Sequence, residues 1–261
     1  MLFRSLWQGG ACLRLNAGVV RTSIRRMLGS EESRRFRSVE AAYQKLVTRR
    51  TGAVSYSQFG EDRLLRALFS EPVGTYVDIG AGEPASGSNT FLFYRSGWSG
   101  FLVDPVSRYQ RWSGAVRPLD RFELAICSRT LGAQDFYEFE QAQFSTTDSA
   151  RARELVTAGR KLARSYQVRS LAIADLPVEC SPTDACFFSI DVEGAEMSVL
   201  ESVNWERTRP GAICVEELVF RLDEPSEVGR YLSARGYRLE GRVGLSSIYV
   251  HDDSGRGIRA V

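Results

Sequence analysis

The stretch TYVDIGAGEPASGSNT, Thr75–Thr90, decides the fold. Its first five residues form a short apolar run of strand formers, GAG is a turn, and SNT opens a helix, so the segment reads as strand, glycine turn and helix. Gly80, Gly82 and Ala85 keep the spacing of a dinucleotide-binding turn. Asp104 ends the next strand, where an acid would hold ribose hydroxyls. Glu83 and Pro84 oppose a pyrophosphate in that turn. Phosphate binding needs free backbone N–H groups and no nearby negative charge, whereas Pro84 removes a donor and Glu83 adds a charge. Two like charges about 4 Å apart cost on the order of 4 kcal/mol at a surface-like dielectric.

Working outward, SYSQFGEDRLLRALFS places Phe59, Leu64, Leu65, Leu68 and Phe69 at helical spacing, with Ser57 as a cap and Glu61 and Asp62 in the first turns. After the turn come the helix SNTFLFYRSG and the strands GFLVDP and FELAICS. FELAICS and GAQDFYEFE read as a hairpin turning at Thr130–Gly132, followed by a basic helical stretch, SARARELVTAGRKLARSY. Then come strand ACFFSIDVE, helix AEMSVLESV, strand GAICVEELV and helix EPSEVGRYLSARG. The closing strands YRLEGRV and SSIYVHD lie too close for a crossover and should pair antiparallel at one edge. Strands alternating with helices predict an α/β fold with a mostly parallel sheet.

The 261 residues suffice for one α/β core, and 34 basic against 32 acidic residues leave a net charge of +2, which argues against a nucleic-acid partner. Five cysteines without a CxxC pair point to a reducing compartment, with neither a disulfide frame nor a zinc site, and so to the cytoplasm. Residues 1–50 form a basic extension in which Glu31–Arg49 reads as a charged helix, and residues 51–261 form the domain. The extension has no apolar run long enough for a signal peptide or a membrane span. It is open to three readings: an ordinary N-terminal extension, a transit peptide, or a peripheral contact with an anionic membrane.

The blocks SQFGED, YVDIGAGEPASGSNT, GWSGFLVDP, FFSIDVEGAEMSVL and RPGAICVEE, from about Ser57 to Glu217, resemble in order and spacing those of FkbM-type S-adenosylmethionine-dependent methyltransferases. The resemblance implies a class I methyltransferase fold, a Rossmann-like seven-stranded sheet with helices on both faces and an antiparallel C-terminal edge strand. It also implies O-methylation of a hydroxyl on a sugar, a glycolipid or a secondary metabolite, with a small-molecule or glycan acceptor. S-adenosylmethionine agrees with the turn, because it has adenine and ribose but carries an ammonium and a sulfonium where a dinucleotide carries phosphates, and Asp78 and Glu83 suit those cations. In this reading Gly80 and Gly82 allow close backbone approach, and Asp104 accepts both ribose hydroxyls. Ser88, Asn89 and Thr90 either reach the cofactor or serve only as N-cap residues. Gln58 and Asp62 either close over the methionine end or form a solvated helix face. Members of the family more often carry Asn or Asp where this chain has Glu83-Pro84.

Asp191 and Glu193, at the carboxyl end of a buried strand, face the place where ligands sit in open α/β sheets, and Glu196 and Glu216 lie near enough in sequence pattern to join them. Methyl transfer to a hydroxyl needs that oxygen held in line and its proton taken up. Asp191 is the first candidate base and Glu193 the second. A divalent metal on these oxygens is conceivable, but the set is not diagnostic and no metal is expected. His251, the sole histidine, falls in the terminal strand, where a surface position is the usual case. The basic stretch Arg151–Arg169 reads either as a solvated face or as a lid touching an anionic acceptor. Two other functions fit parts of the pattern: an NAD-dependent sugar-modifying enzyme, which Glu83-Pro84 disfavours, and a non-catalytic binding domain, against which the full set of acids counts.

Overall fold

The computed structural model describes residues 54–217 and 224–258; the basic extension and its charged helix lie outside them. The main sheet has seven strands, β1 Thr75–Ile79, β2 Ser99–Val103, β3 Arg121–Glu123, β7 Cys186–Ile190, β8 Ala212–Glu216, β9 Tyr237–Val243 and β10 Ser246–His251, in the order β3-β2-β1-β7-β8-β10-β9. All contacts from β3 to β8 are parallel. β10 pairs antiparallel with both β8 and β9. The arrangement is the α/β class that the alternating pattern predicts. The reversed strand, β10, lies one place in from the edge, and β9 holds the edge itself.

Helices α1 Glu61–Leu68, α2 Phe91–Arg95, α3 Ser107–Val116, α5 Glu196–Leu200 and α6 Glu227–Ser233 flank this sheet. Side chains alternate along the strands. Val77, Ile79, Val103, Phe188 and Ile190 therefore join one apolar cluster, and Tyr76, Leu102 and Phe187 join another on the opposite face. Phe69, Phe93 and Trp98 pack edge-on in the second cluster. Trp98 is therefore core, Trp205 is half-buried with its indole N–H on the Tyr231 hydroxyl, and Trp112 is exposed. Cys127, Cys180, Cys186 and Cys214 are buried free thiols.

A second sheet, β4-β6-β5, replaces the expected hairpin. Its strands are β4 Ile126–Cys127, β5 Gly132–Phe139 and β6 Leu162–Leu171, and between β5 and β6 runs a 3-10 turn, Ala142–Phe144, followed by helix α4, Ser149–Thr157. FELAICS splits between the two sheets, and β6, not β4, pairs antiparallel with β5. The basic stretch read as one helix is corrected as well. It turns at Gly159, whose φ of 80° lies in the left-handed region, and continues as β6.

The first helix begins differently from expectation. Gly60 stands at its N-cap, while the Ser57 hydroxyl accepts from the Gly60 and Asp62 N–H groups and donates to Asp62. Asp62 also accepts from Ser55 and the Tyr56 N–H, so it is a fully buried brace for the segment before the helix.

Candidate functional site

Strand register assembles the site. Val103, Ile79, Ile190 and Val215 lie in one row across β2, β1, β7 and β8. The next residue on each strand is Asp104, Gly80, Asp191 or Glu216, so four positions far apart in sequence meet at the carboxyl edge of the sheet. The main chain knits them: the Gly80 N–H donates to the Val103 carbonyl at 2.9 Å and the Asp191 N–H to the Ile79 carbonyl at 3.0 Å. Gly80 has φ 77°, and a Cβ there would lie 1.8 Å from the Asp191 carbonyl oxygen. Glycine is thus required by the meeting of β1 and β7. A Cβ at Gly82, φ 57°, would make only an ordinary 3.8 Å contact with the Gly80 carbonyl oxygen, so glycine serves there for its left-handed backbone.

A cavity of about 830 Å³ opens over this edge. The volume is within the range of ligand clefts and has room for a cofactor with an acceptor beside it. One wall is the glycine turn with Gln58, Glu83 and Asp104; another is the loop after β7 with Asp191 and Glu193, joined by Ser198 of α5. The small sheet, the 3-10 turn and the start of α4 form the third, with Gln134, Gln141, Thr146, Asp148 and Arg151. Of the basic stretch Arg151–Arg169, only Arg151 lines the cavity, and it pairs with Glu154 at 3.2 Å. Asp148 caps α4 by accepting from the Ala150 and Arg151 N–H groups.

Asp104 is 6% exposed and accepts the Gly82 N–H on one oxygen and the Val106 N–H on the other. Each carboxylate oxygen can accept twice, so both retain capacity toward the cavity. Burial pushes the Asp104 carboxyl up to about 6, against the hydrogen bonds from Val106 and Gly82 that favour its anion.

Asp191, Glu193 and Glu216 each bring a carboxylate oxygen within 4.8 Å of the others. Asp191 is half-buried and hydrogen-bonded to Glu216; burial first, then the charges of Glu216 and Glu193, hold it well above the usual carboxylate range. Glu193, exposed, has φ 57°, and among the described residues no other non-glycine residue has a positive φ. Such a conformation costs roughly 1–2 kcal/mol. Backbone strain of this kind clusters at functional sites. Glu196 turns back to accept the Gly194 N–H at 2.9 Å and is raised mainly by burial. The three converging carboxylates are the group here that a divalent cation could also occupy.

Four residues expected at the cofactor are placed elsewhere. Asp78, Ser88, Asn89 and Thr90 do not line the cavity. Strand alternation turns Asp78 to the opposite face from Val77 and Ile79, where Thr90 donates to it at 2.5 Å. Ser88 accepts the Thr90 and Phe91 N–H groups, and Asn89 donates to Ser189, so all four brace the turn from behind. His251 is also removed from the chemistry. Because β10 is reversed, His251 donates its N–H to the Gly211 carbonyl, at the opposite end of β8 from Glu216, roughly 15 Å away at the rise of a strand. It is buried against Tyr237, contrary to the surface position expected, and burial holds its pKa down.

Sequence reasoning missed Arg108 and Tyr109, which also line the cavity. Arg108 lies on the Tyr109 ring and bridges to Glu138 of β5 at 2.6 Å, tying the main domain to the small sheet. Burial would raise Glu138, but hydrogen bonds from Arg164 and Tyr166 and the charges of Arg164 and Arg108 outweigh it and keep this carboxylate ionised. The only sequence signal for this network is the alternation of Tyr166, Val168 and Ser170 with exposed Gln167 and Arg169.

No curated protein matches the sequence. Among solved structures, a SAM-dependent methyltransferase from Aquifex aeolicus is similar over 74% of this chain and 88% of its own, with 15% identity and a TM-score of 0.36. A protein from Corynebacterium glutamicum is similar over 89% and 95%, with 11% identity and a TM-score of 0.37. Both are distant, and neither bears on the assignment. The sequence model of the methyltransferase FkbM domain matches residues 78–239, from the strand before the glycine turn, through both acid-bearing strands, into β9. The chain therefore belongs to the FkbM methyltransferase family, whose cofactor is S-adenosylmethionine.

Proposed function

We propose that the chain methylates a hydroxyl oxygen of a sugar, a glycolipid or a secondary metabolite, with Asp191 as the base and Glu193 as its alternate. The observation that supports this reading is the hydrogen-bonded Asp191–Glu216 pair beside the glycine turn, with Asp191 opening into the same cavity as Asp104. The turn fits the cofactor: it presents Glu83 where a phosphate would be repelled, and Asp104 has spare acceptors for two ribose hydroxyls. Bound S-adenosylmethionine supplies a methyl group on a positively charged sulfur, ready for in-line displacement.

The rest is the work of this chain. Gly82 lets the backbone come close, Asp104 fixes the ribose, and Gln58 and Glu83 face the cationic end. The polar wall of Gln134, Gln141 and Thr146 holds an acceptor rich in hydroxyl groups. Asp191 takes the hydroxyl proton as the acceptor oxygen gains the methyl group, with the Glu216 carboxylate beside it. Turnover rises with pH as Asp191 ionises, because only its anion can serve as base.

The test is transfer of a ¹³C-labelled methyl group from S-adenosylmethionine to a panel of sugars, glycolipids and polyketides, with the product carbon read by NMR. An O-methyl resonance is expected. Methylation only at nitrogen, carbon or sulfur would sink the reading.

A further inference from the structure

Arg117, directly after α3, is 1% exposed and lies behind the glycine turn, on the side away from the cavity. A guanidinium has five N–H donors, and here every one meets an acceptor. Nε donates to Asp120 at 2.7 Å. One terminal nitrogen donates to the Pro84 carbonyl and the Ser88 hydroxyl, both at 3.3 Å. The other donates to the Tyr76 hydroxyl at 3.0 Å and to Thr90 Oγ1 at 2.9 Å. The rings of Tyr76, Phe91 and Tyr94 surround the cation, with centroids 5.4, 5.8 and 5.5 Å away.

A buried charge is weak evidence for stability, since a well-packed apolar side chain often serves as well. What an apolar side chain would not do here is hold the turn. Pro84 follows Glu83, and Ser86 and Gly87 line the cavity next to it. This run has no helix or strand until Phe91; the Gly82 N–H ties it to Asp104 at the front, and the Ser88 N–H donates to the Tyr56 carbonyl at 3.0 Å. Arg117 provides the hold from behind at Pro84, Ser88 and Thr90, and Thr90 passes it on to Asp78 of β1.

We propose that Arg117 is the positioning residue of the cofactor turn: by gripping the Pro84 carbonyl and the Ser88 and Thr90 hydroxyls, it sets where Glu83 and Gly82 stand against the cationic end of S-adenosylmethionine. It acts through the turn and touches no ligand. The inference rests on the cofactor reading of this cavity.

The test measures the dissociation constant of S-adenosylmethionine by calorimetry, together with thermal unfolding, on the full chain and three variants. Arg117→Lys keeps the charge next to Asp120 but has three donors on one nitrogen, so it should fold and bind about tenfold or more weakly. Arg117→Met combined with Asp120→Asn removes the ion pair, with Asp78 still held by Thr90, and should lose at least as much affinity. Asp120→Asn alone weakens the same buried network away from the turn; it should lower the unfolding temperature while changing affinity about threefold or less. Wild-type affinity in either folded Arg117 variant would overturn the proposal, as would an Arg117→Lys chain that does not fold, which would make the arginine a determinant of the fold. A wild-type chain that binds no S-adenosylmethionine would instead bring down the cofactor reading, and this inference with it.

Discussion

The Gly82 N–H donates to Asp104 Oδ2 at 3.0 Å, so the residue proposed to hold the ribose also fastens the turn that faces the methionine end. Asp104→Ala should therefore weaken S-adenosylmethionine binding by about 2 kcal/mol, since two charge-assisted hydrogen bonds to the ribose vanish and the turn loses its front hold. An unchanged dissociation constant in a folded variant would refute the ribose assignment.

The same carboxyl gives a pH dependence. Burial raises Asp104 to about 6, and the ribose hydroxyls need its anion. Below that value the native protein holds the proton and binding must displace it, so cofactor affinity should fall as pH drops from 7 to 5 and level off above about 7. Asp104→Asn should bind more weakly and flatten this profile. A wild-type affinity independent of pH over that interval would contradict the assignment.

Asp191→Asn keeps the shape but cannot take a proton. Single-turnover transfer should fall about 10²-fold or more with cofactor affinity little changed. Parallel losses in rate and affinity would mean that Asp191 stays ionised to support the cofactor's positive end. Loss of wild-type activity on chelation, restored by magnesium, would mean a cation among the three carboxylates. His251→Phe should leave the rate at the wild-type level, since that ring lies at the other end of the sheet.

Glu216→Gln offers a sharper check on the pair. Removing the Glu216 charge takes away the largest electrostatic cause of the raised Asp191 carboxyl, so the rising limb of the pH–rate profile should move to lower pH. A limb that stays in place would show that Asp191 is not the group being titrated.

Gly80→Ala should lower the unfolding free energy by about 3 kcal/mol or more, because a methyl group would meet the Asp191 carbonyl in a left-handed backbone conformation. Removing residues 1–50 should leave cofactor binding intact. Calorimetric unfolding together with cofactor titration checks both, and loss of cooperative unfolding on truncation would place the extension within the core.

How much of this was legible in the sequence differs from part to part. The glycine turn, Asp104 and the Asp191 block could be read because each ends a strand of buried residues, and register alone then brings the ends together. The carboxylate spacing is likewise a consequence of β7 lying beside β8. Asp78 and Thr90 were misplaced because nearness to the turn in sequence outweighed the alternation of side chains along β1. The long basic helix was misread because arginines suit a helix or an exposed strand equally, and the break at Gly159 is a single residue. Arg117 gave no signal at all: GAVRPLDR looks like a solvated turn, and the residue becomes a buried cation only where Tyr76, Thr90 and Asp120 meet.

The place of β10 bears on when the chain can fold. β9 is made before β10, yet its neighbour in the sheet is β10, and β8 likewise stays open along one side until β10 arrives. Among the described strands of this sheet, residues 246–251 are thus made after both of their neighbours and are required to complete that half of it. Nascent chains halted before them would expose the pairing edge of β8, with fully buried Ile213 and Val215 beside it, to other chains. Between the making of β8 and of β10 the chain therefore passes through an interval in which pairing within the sheet competes with aggregation.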